Sequence, residues 1–347
     1  MKGNHLKHLN FRLNFYSAAL VLLTGTFCFS AQDKVYTAQQ LMVRQKYKEA
    51  TELINTCLRD NPNNIHALYT LVTIEQTRIL DYESYTIDGK RFIALSDSVR
   101  KVLDNRLHSL KGEDSLAALF YSANLVGGVG LIQAKCGEWF SGARNAMASV
   151  NSLKQVKKID PNHVGADLGI GAFDFYFGSS FKWIPFVSGN TEKGIELVER
   201  SLSAQFPFNH AAKSTYCWIL IDRKQYVKAD SIAHSVLVQI PGNSVFLRIR
   251  ALIALWTGSY KSALSLGKKV VIIAEKRTPV NWSDLVMGYY IIVKCHEHFG
   301  QKNEAYAAAQ KALSIPIPTE YKSISHVKDN LKYISEIHSK YKAKANE

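Results

Sequence analysis

Apolar and small residues recur along this chain at steps of three and four, with turn residues between the runs. From Tyr47 they fall at Ala50, Ile54 and Cys57, and Pro62 closes the run. From Tyr226 the same offsets hold Ala229, Ala233 and Val236, then Pro241; from Tyr260 they hold Ala263, Gly267 and Val270. A fourth copy has Lys302 in the tyrosine place, followed by Ala305, Ala309 and Ala312, with Pro316 one residue early. Such spacing puts each set on one face of a helix. Nine residues before each start stands Ala38, Cys217, Ala251 or Val293, and two before the last pair stand Gly258 and Gly300. The pattern predicts antiparallel helix pairs, each closed by a tight turn, with proline ending the second helix. Tyr226 and Tyr260 lie 34 residues apart, whereas Lys302 follows Tyr260 by 42. Eight residues are therefore inserted, and "KRTPVNWSDL" is the expected place.

Two stretches carry the repeat most fully: "QKYKEATELINTCLRDNPNN" (residues 45–64) and "RKQYVKADSIAHSVLVQIPGN" (residues 223–243). They resemble the tetratricopeptide repeat (TPR), and the resemblance covers residues 31–80 and 205–319. It implies an all-α fold: a right-handed superhelix, or solenoid, of antiparallel helix pairs with a C-terminal capping helix. Cys57 and Cys217 fall where the repeat wants a small buried residue, so they are expected to pack rather than to react.

Residues 81–204 depart from the pattern yet keep helical periodicity. "DYESYTIDGKRFIALSDSVRKVLDNRLHSL" reads as a turn and a long helix, and the stretch from Asp114 to Asn162 as a helix pair ending in "IDPN". Gly165, Gly169 and Ala172 share one face, as do Gly127, Gly130 and Ala134, and each set is expected to admit a close second helix. Gly194, Val198 and Ser201 mark that second helix in the later unit, which makes "SSFKWIPFVS" a long aromatic turn. The glycine–aromatic helix, the "PF" and the glycine turn are distantly similar to exported bacterial repeat proteins and to Iml2/TTC39-like eukaryotic repeat proteins. Near the end, Ile324, Val327, Leu331, Ile334, Ile337 and Tyr341 form one apolar stripe, as a capping helix requires.

The resulting plan has five parts: a signal peptide at 1–31, an N-terminal TPR-like unit at 32–80, a divergent helical region with an aromatic insertion at 81–204, a C-terminal TPR array at 205–319, and a capping helix and tail at 320–347. The first part rests on Lys2, Lys7 and Arg12 ahead of an apolar run from Phe15 to Phe29 and the small residues "SA". That run is shorter than the ~18 residues a spanning helix needs. Export is the expectation: periplasmic, with outer-membrane association or secretion as alternatives, and an uncleaved anchor as the competing reading.

Charge changes the picture little. Removing three bases and no acids takes the net charge from +14 to +11, but the bases are dispersed among acids. A protein or peptide partner is therefore expected, not nucleic acid. The remaining cysteines show no CxxC, and "CHEH" (residues 295–298) puts its histidines two apart on different helix faces. No phosphate-loop or dinucleotide motif is present. No cofactor, metal or catalytic residue is expected, and the chain is read as a non-enzyme.

What remains is a binding surface. Helical phase brings Ser214, Trp218 and Ile221, then Arg248, Leu252 and Leu255, then Tyr290, Lys294 and Glu297 onto the concave side. Ser214, Trp218, Arg248, Leu252, Tyr290 and Lys294 are the candidate partner-binding residues, suited to a segment with an apolar anchor and an acidic group. The alternative is that the chain's own segments fill that groove. Phe181, Trp183 and Phe186 on the aromatic turn are the candidates for a lipid, a small apolar ligand or peripheral membrane contact, and cover for the core is their plainer role.

Overall fold

A computed structural model of the chain describes residues 30–180, 190–204 and 207–345. The apolar N-terminal run and the candidate residues Phe181, Trp183 and Phe186 lie outside the described residues. Sixteen α-helices and one 3₁₀ turn make up the described structure, with no strand among them.

The helices pair as hairpins. They are α1 (Ala31–Val43) with α2 (Tyr47–Asp60), α3 (Ile65–Tyr82) with α4 (Tyr85–Leu107), and α5 (Gly112–Lys135) with α6 (Trp139–Ile159). Next come α7 (Val164–Ser180) with α8 (Thr191–Arg200), α9 (Phe208–Asp222) with α10 (Tyr226–Gln239), α11 (Ser244–Trp256) with α12 (Tyr260–Lys276), and α13 (Trp282–His298) with α14 (Lys302–Ser314). After a short α15 (Thr319–Lys322), α16 (Ser325–Ala345) packs on α13 and α14, where the first helix of another hairpin would stand. Of the expected stripe, Ile324, Val327, Ile334, Ile337 and Tyr341 are buried and Leu331 is half-buried.

Among the described residues, six of the hairpins turn by the same backbone device. Gln45, Glu83, Gly137, Lys224, Gly258 and Gly300, each two residues before the second helix, take positive φ of 62°, 54°, 87°, 58°, 73° and 70°. In each, the next amide donates back to a carbonyl five residues earlier, as Lys46 does to Leu41 and Gly300's successor Gln301 to His296. This left-handed cap satisfies helix-end carbonyls that would otherwise be orphaned. On the opposite edge, Asn64, Asn243 and Asn281 cap the N-termini of the first helices α3, α11 and α13, and Asn190 caps the second helix α8.

The divergent middle obeys the same template. Gly130 stands nine before Trp139, and Gly142 stands three after it, matching Ala38 and Ala50 around Tyr47. The difference is length: α6 has 21 residues where α2 has 14, so its "DP" turn arrives late. Gly130 and Gly142 meet directly; a methyl on Gly130 would lie 2.8 Å from the Gly142 carbonyl. In the α7–α8 hairpin the corresponding pair is Gly171 and Gly194. Gly165 and Gly169, expected to seat that second helix, instead clear space for Phe120 and Leu153 of the preceding hairpin. The helical phase was right for a close approach, but two faces of α7 are crowded, and the neighbouring hairpin uses the other one.

A second correction concerns the eight extra residues. They are not a loop: α12 and α13 each have 17 residues against 14 in α10 and 13 in α11, and the connection gains one. Helix extension keeps every added backbone group hydrogen-bonded, which a loop of that length would not.

Cys57 and Cys217 are buried and free, in the packing positions expected; Cys295 is also buried and free, and Cys136 is half-buried and free. By length and composition α5 could cross a bilayer, but Phe120, Ala123, Leu125, Val129 and Ile132 are buried in the core it forms with its neighbours.

First helices touch first helices around the solenoid, from α3 through α5, α7, α9, α11 and α13. The row then closes, because α13 also packs on α3. The superhelix is thus shut on itself, and its inner face near α11 and α13 is partly covered.

Candidate functional site

Where the row closes, one buried apolar cluster runs from Ile79 and Tyr85 to Ala274, Leu285 and Tyr289, and beside it lies a seam of polar and charged side chains. From the N-terminal side come Gln45, Asp81 and Glu83; from the C-terminal array come Asn243, Ser244, Arg248, Arg277, Asn281, Ser283 and Asp284. Asp81 accepts from Ser244 Oγ at 2.7 Å, from Tyr47 OH at 2.8 Å and from Arg277 at 2.7 Å. Glu83, left-handed at φ 54° where α3 ends, faces Arg248 at 3.5 Å and His326 of α16 at 2.8 Å, and accepts from Ser283. Arg248 also donates to Asp284 at 3.0 Å, and Asn281 binds that carboxylate's other oxygen at 3.0 Å. The Arg277 guanidinium lies over the Tyr82 ring, 4.3 Å from its centroid. Gln45 bonds Ser244 twice, and Asn243 reaches the Val43 carbonyl at 3.1 Å.

Burial shapes the charges here. Burial alone would raise the Glu83 carboxyl, but Arg248, His326 and Ser283 outweigh it and hold it at about 2. Burial wins at Asp284, which is 0% exposed: against the pull of Arg248, and with Asp81 and Glu83 adding to the rise, it is pushed up to about 7. Burial also drives the Tyr47 hydroxyl well above the usual range, with Asp81 reinforcing it.

Ser283, His326 and Glu83 invite comparison with a nucleophile, a base and its carboxylate. The geometry does not fit: both Ser283 and Glu83 sit on the same imidazole nitrogen, Nε2, so no relay runs through the ring. Ser283 is also fully buried. Among the described residues no group of three or more His, Cys, Asp or Glu side chains could hold a metal ion.

Above the seam the inner face opens. A cleft of about 400 Å³ is lined by Leu255, Trp256, Tyr260, Tyr290, Lys294, Glu297, His298 and Tyr333. Lys294 stands between two of its rings. Its ammonium lies 4.7 Å from the Tyr333 ring centroid and 5.2 Å from that of Tyr290, and these two rings meet edge-on at 5.3 Å. Among the described residues it has no carboxylate within ion-pair distance. Glu297, one turn on, is taken: it accepts from Tyr333, from Lys340 at 2.7 Å and from Tyr341. Those bonds outweigh burial and keep its carboxyl below the usual range. Tyr260 stacks on His298 at 3.6 Å, and Trp256 stands 48% exposed at the rim.

Of the candidate partner-binding residues, Tyr290 and Lys294 meet in this cleft, with Leu255 and Glu297. Ser214, Trp218 and Leu252 do not line it; Trp218 packs on the α9–α11 core and Leu252 on the α11–α13 core. Arg248 is corrected outright. It is 5% exposed and belongs to the seam, because the buried carboxylates of Asp284 and Glu83 need a cation more than a groove does. Sequence reasoning missed Trp256, Tyr260, His298 and Tyr333. Tyr260 was visible only as a repeat position, and Tyr333 stands one residue off the stripe of a helix read as a cap.

No protein-family profile matches the chain, and no curated protein matches it in sequence. Solved structures do. One chain of the Cut9–Hcn1 hetero-tetramer of the APC/C superposes with a TM-score of 0.56 at 13% identity, over 90% of this chain and 52% of that one. This chain therefore spans about half the length of that relative. The C-terminal part of a TPR repeat-containing protein from Cytophaga hutchinsonii gives 0.43 at 16% identity, over 86% and 99% of the two chains. A TPR protein from Parabacteroides merdae gives 0.40 at 14%, over 88% and 98%. The shared architecture is the fold: an all-α TPR solenoid of helix hairpins.

Proposed function

We propose that this chain is a non-enzymatic interaction scaffold that takes a segment of a partner protein into the Lys294 cleft. The observation that carries the reading is Lys294 itself: a cation framed by Tyr290 and Tyr333, unpaired among the described residues, in a cleft on the solenoid's inner face. Aromatic walls take an apolar or aromatic side chain, and the ammonium takes an acidic group beside it. The size suits one or two side chains rather than a whole helix. The basic N-terminus and apolar run support placing the scaffold in a bacterial cell envelope, periplasmic first, with outer-membrane association or secretion as alternatives. The TPR fold is common among protein-binding scaffolds, but a fold hosts many functions, so the site carries the proposal.

Affinity capture from an envelope extract tests it. Native chain, Lys294→Glu and the outer-surface control Lys268→Glu serve as baits. A partner held by the native and control baits and lost with Lys294→Glu is the expected result. Equal capture by all three moves the binding surface away from the cleft.

A further inference from the structure

The first helices form the inner row of the solenoid, so the second helices lie outside it. On α6, Gly142, Ser149, Leu153 and Val156 face inward and are buried. The opposite side carries Phe140, Arg144 and Met147 at steps of four and three, all exposed. Trp139 stands beside Phe140 at the start of the helix. Phe140 is 95% exposed and Trp139 63%. The repeat does not ask for this. In α2, α12 and α14 the Phe140 position holds Lys48, Lys261 and Asn303, and Tyr47, in the Trp139 position of α2, is buried. Among the described residues neither ring stacks on another aromatic side chain.

The turn that presents the pair is fixed. Gly137 takes φ 87°, and the Glu138 amide donates to the Gln133 carbonyl at 2.9 Å. Two exposed bases flank the rings: Lys135 at the end of α5 and Arg144 one turn beyond Phe140. Neither has a carboxylate within ion-pair distance among the described residues; the Lys135 ammonium lies 5.7 Å from the Tyr85 ring centroid. The acid of the turn is Glu138. We infer that this outer tip docks on an anionic lipid bilayer, with Trp139 and Phe140 at the boundary between head groups and acyl chains and Lys135 and Arg144 on lipid phosphates. A convex tip gives a partner's side chain no pocket to enter, whereas a bilayer yields around it. Charge agrees: two bases stand against one acid, and their long stems let the cations reach phosphate while the rings go deeper. The cleft is built from α11, α12, α13 and α16, so this surface is independent of it.

Fluorine NMR of the full chain labelled with 5-fluorotryptophan tests the docking. The vesicles are an equal mixture of phosphatidylcholine and phosphatidylglycerol, with or without a nitroxide-bearing lipid. Trp139→Phe identifies the Trp139 signal, and Trp256→Phe that of Trp256, the exposed ring of the cleft. The nitroxide should broaden the Trp139 signal at least about fivefold more than the Trp256 signal. In Phe140→Ser/Arg144→Glu that broadening should fall at least about threefold. Both side chains are exposed, so the fold should persist, as far-UV circular dichroism checks. Vesicles of phosphatidylcholine alone should broaden Trp139 less. The signals are read residue by residue, so attachment through the apolar N-terminal run alone gives no selective effect at Trp139. Equal broadening of Trp139 and Trp256, or none at Trp139, overturns docking through this tip and leaves the rings to a protein partner. Equal broadening on neutral vesicles strikes the anionic head groups from the proposal.

Discussion

Asp284 shows what single residues contribute to this fold. Its carboxyl is pushed up to about 7 from an ordinary 3.8, so the folded chain binds that proton more tightly than the unfolded chain. The associated stability is full below about pH 3.8 and is lost as pH rises through about 7. Glu83 runs the other way: held at about 2, it stabilises the fold above pH 4.5, and that contribution is lost as pH falls towards 2. Asp284→Asn should flatten the fall in stability between pH 4 and 8, by on the order of a few kcal/mol across the range. Loss of the Asn281 bond shifts that curve by a pH-independent amount, so the slope, from urea denaturation at a series of pH values, is the readout. An unchanged slope would remove Asp284 from the account. Residues of this kind were the hardest to read from sequence. Cys57 and Cys217 were legible because their neighbours lie three and four positions away. Arg248 was not, because the carboxylates that bury it come from residues 83 and 284, and no local period reports them.

At the scale of elements, the hairpin is the unit, and its parts are separable. Gly130 and Gly142 let α5 and α6 touch backbone to backbone. Gly130→Ala would set its methyl 2.8 Å from a carbonyl and 2.9 Å from the Ala146 amide, neither of which can rotate away. The helices must part, and a loss of about 1–3 kcal/mol in chemical denaturation is expected. The turns give the opposite case. Lys224 is exposed and holds φ 58°, a conformation that favours glycine. Lys224→Gly should raise stability by about 0.5–1 kcal/mol. Gln45→Gly at the equivalent turn should not, because its side chain bonds Ser244 twice. A gain at both positions would mean the Gln45 bonds contribute nothing. Turns, caps and packing positions repeat at fixed offsets, which is why the hairpins were legible. The middle region looked divergent because α6 is longer than α2, which displaced the proline signal while leaving Trp139, Gly130 and Gly142 in register.

The whole molecule departs from what repeats alone imply. A solenoid held only by neighbouring repeats has stability that adds along its length. Here α13 meets α3, so the ends of the superhelix stabilise one another. That contact explains why Arg248, expected in a groove, is buried in the seam rather than lining the cleft. The cap, α16, takes part in both: His326 stands in the seam and Tyr333 in the cleft wall. Periodicity could announce the solenoid, but contacts 163 to 200 residues long leave no periodic trace.

The same separation has a consequence in time. A ribosome adds about 5–20 residues each second, so Asp81 leaves it roughly 10–30 s before Ser244 and longer before Arg277. During that interval the early hairpins can form from local contacts, while two acids meant for burial still face solvent. The molecule is therefore born open, and its last act of folding is to find its own beginning.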